Sequence, residues 1–225
     1  MIQVQSLSKT YKSGKAGLHP FDHQIPQGTA LALTGGNGAG KSTLIKLLAT
    51  IIKPSSGTIT PGGRSFSYMP DDLEFPLQLT AIEALGMLGV LKKVDGKRSL
   101  QLLKEVGLYD ARHQKIGTFS KGMKQRLSFA QAMLSDDDIL ILDEPTNGLD
   151  PYWIKWLKTY LKKERQEGKT IIFSTHDLSL VEDLADEMLF FYEGKVLIRG
   201  RVGELRGNGE RLEDVIVKRL EELNG

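Results

Sequence analysis

Residues 35–43 read Gly35-Gly36-Asn37-Gly38-Ala39-Gly40-Lys41-Ser42-Thr43. This is the spacing G-x-x-x-x-G-K-[ST], a loop whose backbone N–H groups cradle phosphates. It constrains the fold because it works only between a buried strand and a helix. Both flanks comply. Ala30-Leu31-Ala32-Leu33-Thr34 reads as a short buried strand, and Leu44 to Ile52 reads as a helix stopped before Pro54. The glycines permit positive φ and a close approach of backbone to ligand. Successive N–H groups and the N-terminus of the following helix then face the phosphates. Lys41 is expected to neutralise the β- and γ-phosphates. The Ser42 hydroxyl is expected to ligate Mg²⁺, and Thr43 to donate to an α- or β-phosphate oxygen.

Further strands recur at Ile139–Leu142, Thr170–Ser174 and Met188–Tyr192, with helical stretches at 151–167 and 178–186 between them. Alternation of this kind predicts an α/β fold, a mostly parallel sheet covered on both faces. From about Thr80 to Leu134 the periodicity is helical. Leu85, Leu88 and Leu91 share a face, as do Leu100, Leu103 and Val106. This helical middle reads as an insertion between two halves of the core. Residues 55–70 are rich in Ser, Gly, Thr and Pro and predict short strands and turns.

The chain has 225 residues, 40% of them hydrophobic, which suits one globular domain with small subdomains. A net charge of +2 gives no basic face for a nucleic acid, so none is expected as a partner. The absence of cysteine excludes disulfides and thiolate metal sites. The first residues lack the pattern of a signal peptide. No stretch approaches the roughly 20 apolar residues of a membrane span, so any membrane role needs a partner.

Two more motifs follow the phosphate loop. Ile139-Leu140-Ile141-Leu142-Asp143-Glu144 is a buried strand ending in two acids at the edge that faces the ligand crevice of an open α/β sheet. Asp143 is expected to hold Mg²⁺ through water, and Glu144 to orient or deprotonate an attacking water. Asp136, Asp137 and Asp138 read as a solvated lead-in. Phe119 to Leu127 begins a helix with Ser120 as N-cap, and Gly122 is expected to leave room for a phosphate.

With these motifs in order, the chain resembles the ATP-binding subunit of ATP-binding cassette (ABC) transporters, from Tyr11 to about Glu204. The resemblance implies a P-loop NTPase (RecA-like) core at about 1–79 and 135–205, with a small antiparallel β-subdomain. It also implies a helical subdomain at about 80–134, followed by a C-terminal helix at about 210–223. Ser120-Lys121-Gly122-Met123 corresponds to the signature that touches ATP held by the opposite protomer. Asn147-Gly148-Leu149-Asp150 corresponds to the D-loop at the dimer interface. His176, after Thr175, corresponds to the switch histidine at the γ-phosphate. Tyr11, thirty positions before Lys41, stands where the family stacks an aromatic on adenine. Glu144, His176 and Lys41 are thereby the catalytic set. ATP and Mg²⁺ are the implied ligands, the metal being held by Ser42, Asp143 and Asp71.

The departures carry information. The family's signature reads Leu-Ser-Gly-Gly-Gln, whereas Phe119, Lys121 and Met123 stand here around retained Ser120 and Gly122. Gly36 replaces a frequent proline, which is expected to matter little. Asp71 stands where the family places a glutamine that senses Mg²⁺ and water, and a carboxylate can accept but not donate. An acid there resembles ABC-2 type exporter subunits. The short stretch between Gly57 and Phe66 implies a trimmed antiparallel subdomain.

The resemblance implies a homodimer, or a heterodimer with another cassette, at the cytoplasmic face of a membrane. The polytopic membrane subunit would dock a short helix in a groove around Asp71 to Leu91, where Phe75, Pro76, Leu77 and Leu79 are apolar. The alternative is a soluble ABC-type ATPase working on ribosomes or DNA. A GTPase is excluded by the lack of an Asn-Lys-x-Asp pattern. His19, His23 and His113 lack metal-ligand spacing. Trp153 and Trp156, with Tyr152 and Tyr160, read as core packing, with a partner surface as the alternative. Lys92-Lys93 and Lys162-Lys163 read as solvated faces. Leu212 to Leu223 reads as an amphipathic helix with Leu212, Val215, Ile216, Leu220 and Leu223 inward.

Overall fold

The computed structural model describes residues 1–207 and 209–224. A six-stranded sheet forms the centre. It is built from β3 (Ala30–Gly35), β5 (Phe66–Met69), β6 (Ile139–Leu142), β7 (Thr170–Ser174), β8 (Glu187–Tyr192) and β9 (Lys195–Arg201), in the order β5-β6-β7-β3-β8-β9. The first five are parallel and β9 is an antiparallel edge. A second, three-stranded antiparallel sheet has β1 (Ile2–Thr10) between β2 (Ala16–Ile25) and β4 (Ser56–Thr60).

The central strands are apolar along their whole length because each buries both faces. Alternate residues serve two cores. Ala30, Ala32, Leu140, Leu142, Ile171 and Phe173 join one cluster. Leu31, Leu33, Ile139, Ile141 and Ile172 join the other. The second cluster is closed by α1 (Lys41–Leu48), through Leu44, Ile45, Leu47 and Leu48, and by the small sheet. The first is closed by α2 (Ala81–Leu91), α3 (Gly96–Glu105) and α4 (Lys121–Ala132), all between β5 and β6 in sequence. It is completed by α5 (Pro151–Gln166), α6 (Leu178–Leu184), α7 (Val202–Leu205) and α8 (Leu212–Asn224).

Several expectations shift. Helix α1 stops at Leu48, not Ile52, because Thr50 takes φ 56° and the N–H groups of Ile51 and Ile52 both turn back to Lys46 O. Ile51 is half exposed, so no buried face draws the helix onward. Leu85, Leu103 and Val106 are buried, but Leu91 is 79% exposed and Leu100 lies at the surface. In α8, Leu212 and Ile216 are buried whereas Leu223 is exposed, since the last turn runs beyond the packing against α6 and α7. Of the acids before β6, Asp136 and Asp138 are exposed, as a solvated lead-in would be, yet two of the three acids find partners. Asp136 pairs with Lys169 at 2.7 Å, and Asp137 accepts a hydrogen bond from Ser67. Lys169 also pairs with the buried Glu164 at 2.6 Å.

The aromatic residues of α5 do pack. Trp156 and Tyr160 stack on each other and meet Phe129 edge-on, while Tyr152 stays exposed. Arg126 lies 4.2 Å over the Trp153 ring and donates to Val106 O and Gly107 O, which ties the end of α3 to α4 and α5.

Candidate active site

Strand β3 ends at Gly35, whose φ of 135° carries the chain against Phe191. A Cβ at Gly35 would sit 2.3 Å from the Phe191 carbonyl oxygen, so only glycine fits. The loop then reaches Gly40, with φ 120°, where α1 begins. Gly36 and Gly38 face open space, in keeping with the tolerance expected at Gly36. Ala39 is buried, and Asn37 is exposed at the tip of the loop.

Helix α1 has no side-chain cap and no acid in its first turn. Helices α2 to α6 each carry a side-chain cap, from Thr80, Asp95, Ser120, Asp150 and Asp177 respectively. The bare N–H groups of α1 therefore form the end to which an anion fits.

Lys41 is nearly buried beneath the loop. Its Nζ donates to Gly35 O at 2.7 Å and Gly36 O at 3.2 Å, and lies 3.7 Å from Glu144 Oε1. Glu144 follows β6 with φ 46°, a strained value for a non-glycine residue. Four hydrogen bonds hold it, one of them from Asn147 N to its carbonyl at 3.1 Å. Its N–H donates to Ser174 Oγ at 2.8 Å, its carbonyl accepts from Gln125 Nε2 at 3.1 Å, and its Oε2 lies 3.0 Å from His176 Nδ1. The structure thus brings Lys41, Glu144 and His176 together, with most of the His176 side chain in solvent.

Asp143 Oδ1 accepts from Ser174 Oγ at 2.5 Å and from Ser42 Oγ at 3.3 Å. Burial pushes the Asp143 carboxyl up; the two serine hydrogen bonds oppose this, and the Asp71 charge reinforces it. Tyr68 is pushed up to about 12 by burial, then by Asp143 and Asp71. The two acids thus build negative potential at one spot. Among the described residues no group of three or more His, Cys, Asp and Glu could hold a metal. The Asp143 carboxylate and the Ser42 hydroxyl, 3.3 Å apart, still fit Mg²⁺, a hard cation that keeps waters and takes phosphate oxygens alongside one or two carboxylates.

Tyr11, in the turn between β1 and β2, is partly exposed and its hydroxyl lies 3.0 Å from Thr43 Oγ1. A Cβ at Gly17 would meet its ring at 2.4 Å, so the aromatic packs against Gly17 beside the loop. Asp71 Oδ1 accepts from Asn147 Nδ2 at 2.7 Å.

Ser120, Lys121, Gly122 and Met123 stand at the start of α4, Ser120 Oγ accepting from Met123 N at 3.2 Å. No hydrogen bond or ion pair joins them to 35–43 among the described residues. The place a side chain at Gly122 would take is filled from within the chain. A Cβ there would lie 2.7 Å from Gly148 O, and one at Gly148 would meet Lys121 at 2.8 Å. The two glycines press the starts of α4 and of the 147–150 segment together. Leu149 packs on the core, and Asp150 caps α5 through Trp153 N at 3.0 Å.

Two contributors were missed in the sequence. Ser174 bridges Asp143 and Glu144, and Gln125 holds the Glu144 carbonyl. The position of Ser174, at the end of a buried strand just before Thr175-His176, was the available signal.

Beside the site, a groove of about 450 Å³ runs between 70–79 and α2, with Pro70, Phe75, Pro76, Met87 and Leu91 on its walls. Met87 and Leu91 are well exposed. Leu77, expected in this wall, is exposed outside it.

Residues 18–147 match the family described as "ABC transporter". The lantibiotic transport ATP-binding protein SrtF of Streptococcus pyogenes is 39% identical over 208 residues, covering 88% of this chain and 90% of that protein. The daunorubicin/doxorubicin resistance ATP-binding protein DrrA of Streptomyces peucetius is 32% identical, covering 92% of this chain and 67% of that protein. A solved ATP-binding subunit of an ABC transporter superposes with TM-score 0.87 at 29% identity, covering 98% of this chain and 99% of the other. A dimeric cassette bound to ADP and Pi superposes with TM-score 0.84 at 23% identity, covering 90% and 99%; it attests the fold alone.

Proposed function

The chain belongs to the ABC transporter ATP-binding family, and from that premise we propose that it powers an exporter of the ABC-2 type. It is an ATP-binding, ATP-hydrolysing subunit, and its mechanism follows from how the residues are distributed. Lys41, the loop 35–40, Ser42 and Thr43 would bind the phosphates, with Tyr11 beside the base. Glu144 would take a proton from the attacking water, and His176 would hold the Glu144 carboxylate and the γ-phosphate in register. Ser42 and Asp143 would hold Mg²⁺, with Asp71 near; when bound, the cation neutralises phosphate charge.

One observation carries the dimeric reading. The uncapped N-terminus of α1 and the Ser120 end of α4 belong to one chain without touching through any hydrogen bond or ion pair among the described residues. Each is half of a phosphate cage. Two copies, or this chain with another cassette, placed head-to-tail would complete both cages under twofold symmetry. Residues 147–150 would lie at the seam. Loss of the γ-phosphate would remove the charge that joins the halves, and the halves would part.

No described helix is long and apolar enough to cross a membrane. The cargo path is assigned to a polytopic membrane subunit whose short helix would enter the groove by Phe75 and Met87, holding this chain at the cytoplasmic face. The division into a core at about 1–79 and 135–205 and a helical subdomain at about 80–134 fits that arrangement. The relatives named for lantibiotic transport and drug resistance favour export. The test is mild-detergent purification of the tagged chain from native membranes with mass spectrometry of its companions. A stoichiometric polytopic membrane protein supports the exporter. Ribosomal or DNA-bound companions alone would move the assignment to a soluble ABC-type ATPase.

A further inference from the structure

Asp71 and Asn147 are 76 positions apart, and they join two loops with separate tasks. Asp71 follows Pro70 just beyond β5, and from it the chain runs through Leu73, Glu74 and Phe75 along the groove wall. Asn147 lies three residues beyond Glu144, on the way to Gly148 and α5. Both side chains are half-buried. Their bond, 2.7 Å from Asn147 Nδ2 to Asp71 Oδ1, has the length of a charge-assisted hydrogen bond. Among the described residues it is the only side-chain hydrogen bond or ion pair made by either 70–76 or 145–149. Just upstream the two segments share one backbone anchor, Asp143 N to Met69 O at 2.8 Å. Beyond that anchor, this one bond links them.

We propose that Asp71 is a positioning residue that acts through Asn147, clasping the groove wall to the segment that leads out of Glu144. The carboxylate suits this task because it only accepts. It therefore turns the Asn147 amide nitrogen inward and its oxygen away, whereas an amide at 71 would pair with either orientation. With the clasp closed, a helix entering the groove and a second copy meeting 147–150 act on one body, so each biases the other. The inference rests on the reading of those two surfaces as contact faces.

The experiment compares the full chain with D71N, N147D and the exchange D71N/N147D. Hydrogen–deuterium exchange is followed at 70–76 and 145–150, together with MgATP turnover. In N147D two carboxylates oppose one another, so exchange should rise about tenfold in both segments, including 70–76 where nothing was changed. In D71N/N147D the donor and acceptor trade places, the amide now sitting at position 71 and the carboxylate at 147, and protection should return in both segments. The kcat should fall and recover in parallel, with KM for ATP held within about twofold, as expected of positioning rather than binding. Unaltered exchange at 70–76 in N147D, or no recovery in the double variant, would overturn the clasp. Recovery of protection without recovery of kcat would also overturn it, and would assign Asp71 to the metal directly. If the unaltered chain showed no turnover, the catalytic roles proposed above would fail, while the exchange measurements would still decide the clasp.

Discussion

Lys41 and Glu144 face each other across the phosphate loop at 3.7 Å, with side chains only 6% and 11% exposed. The lysine's hydrogen bonds go to loop carbonyls, and the other carboxylate oxygen is held by His176. The two groups assigned to opposite ends of the γ-phosphate thus neutralise each other in this state. A buried charge left without its partner is costly, so each can be released only as another charge arrives.

Lys41→Ala is therefore expected to weaken ATP binding at least tenfold, since it removes a charge-assisted contact worth about 1.5–3 kcal/mol. Titration with a fluorescent ATP analogue checks this. Wild-type affinity would contradict the phosphate role.

Glu144→Gln separates binding from chemistry. Turnover should fall about 10²- to 10⁴-fold, the usual contribution of a general base. ATP affinity should be kept or rise, because Lys41 loses its internal partner. Size-exclusion chromatography with ATP should show accumulated dimer. Normal turnover would remove Glu144 as the base.

Ser174→Ala tests a residue that no motif marks. It deletes the hydroxyl serving both Asp143 and the strained Glu144 backbone, leaving a buried N–H unpaired at a cost of about 1–3 kcal/mol. We expect lower urea stability together with lower kcat. A variant that loses stability but keeps kcat would show that Ser174 does not position Glu144.

Gly107→Ala tests the junction of α3, α4 and α5. The position has φ 62°, and a Cβ would lie 2.5 Å from the Trp153 ring. Strain and overpacking together predict a loss of about 1–3 kcal/mol in chemical denaturation. A change under about 0.5 kcal/mol, the range of an ordinary surface substitution, would mean that the ring moves freely.

Lys169→Met leaves Glu164 buried without a cation and should cost about 3 kcal/mol near neutral pH. Burial acts to lower the Lys169 pKa, but its hydrogen bonds to Asp136 and Glu164 prevail and hold it above 10.5. A raised lysine contributes stability below its unfolded pKa and loses it as pH rises through the folded value. Lys169 likewise holds Asp136 below 3.8, a contribution lost as pH falls through that lowered value. The gap between wild type and variant should thus narrow above about pH 10.5 and below about pH 3.8. A gap independent of pH would refute the ion-pair account.

What was legible in the sequence was local. Strand, glycine loop and helix announce themselves within Ala30 to Leu48 because periodicity and motif coincide there. The acids after β6 are equally plain. The N-terminal hairpin escaped notice because Ser6, at φ 46°, bulges β1 and breaks the alternation between Val4 and Leu7. Ser174 was hidden because its role depends on β6 and β7 lying side by side, Leu142 against Phe173. The contact of Gly122 with the Gly148 carbonyl was hidden as well, since that carbonyl arrives from a separate loop far along the chain.

The bare start of α1 has a thermodynamic consequence. Helices α2 to α6 each have at least one first-turn N–H satisfied by a side chain of their own, and that contact is already part of the folded state's free energy. The end of α1 gains that satisfaction from what it binds. Nucleotide concentration thereby becomes a variable of folding itself, adding RT ln(1 + [L]/Kd) to stability. The melting temperature of the chain in a cell would then track the supply of its fuel.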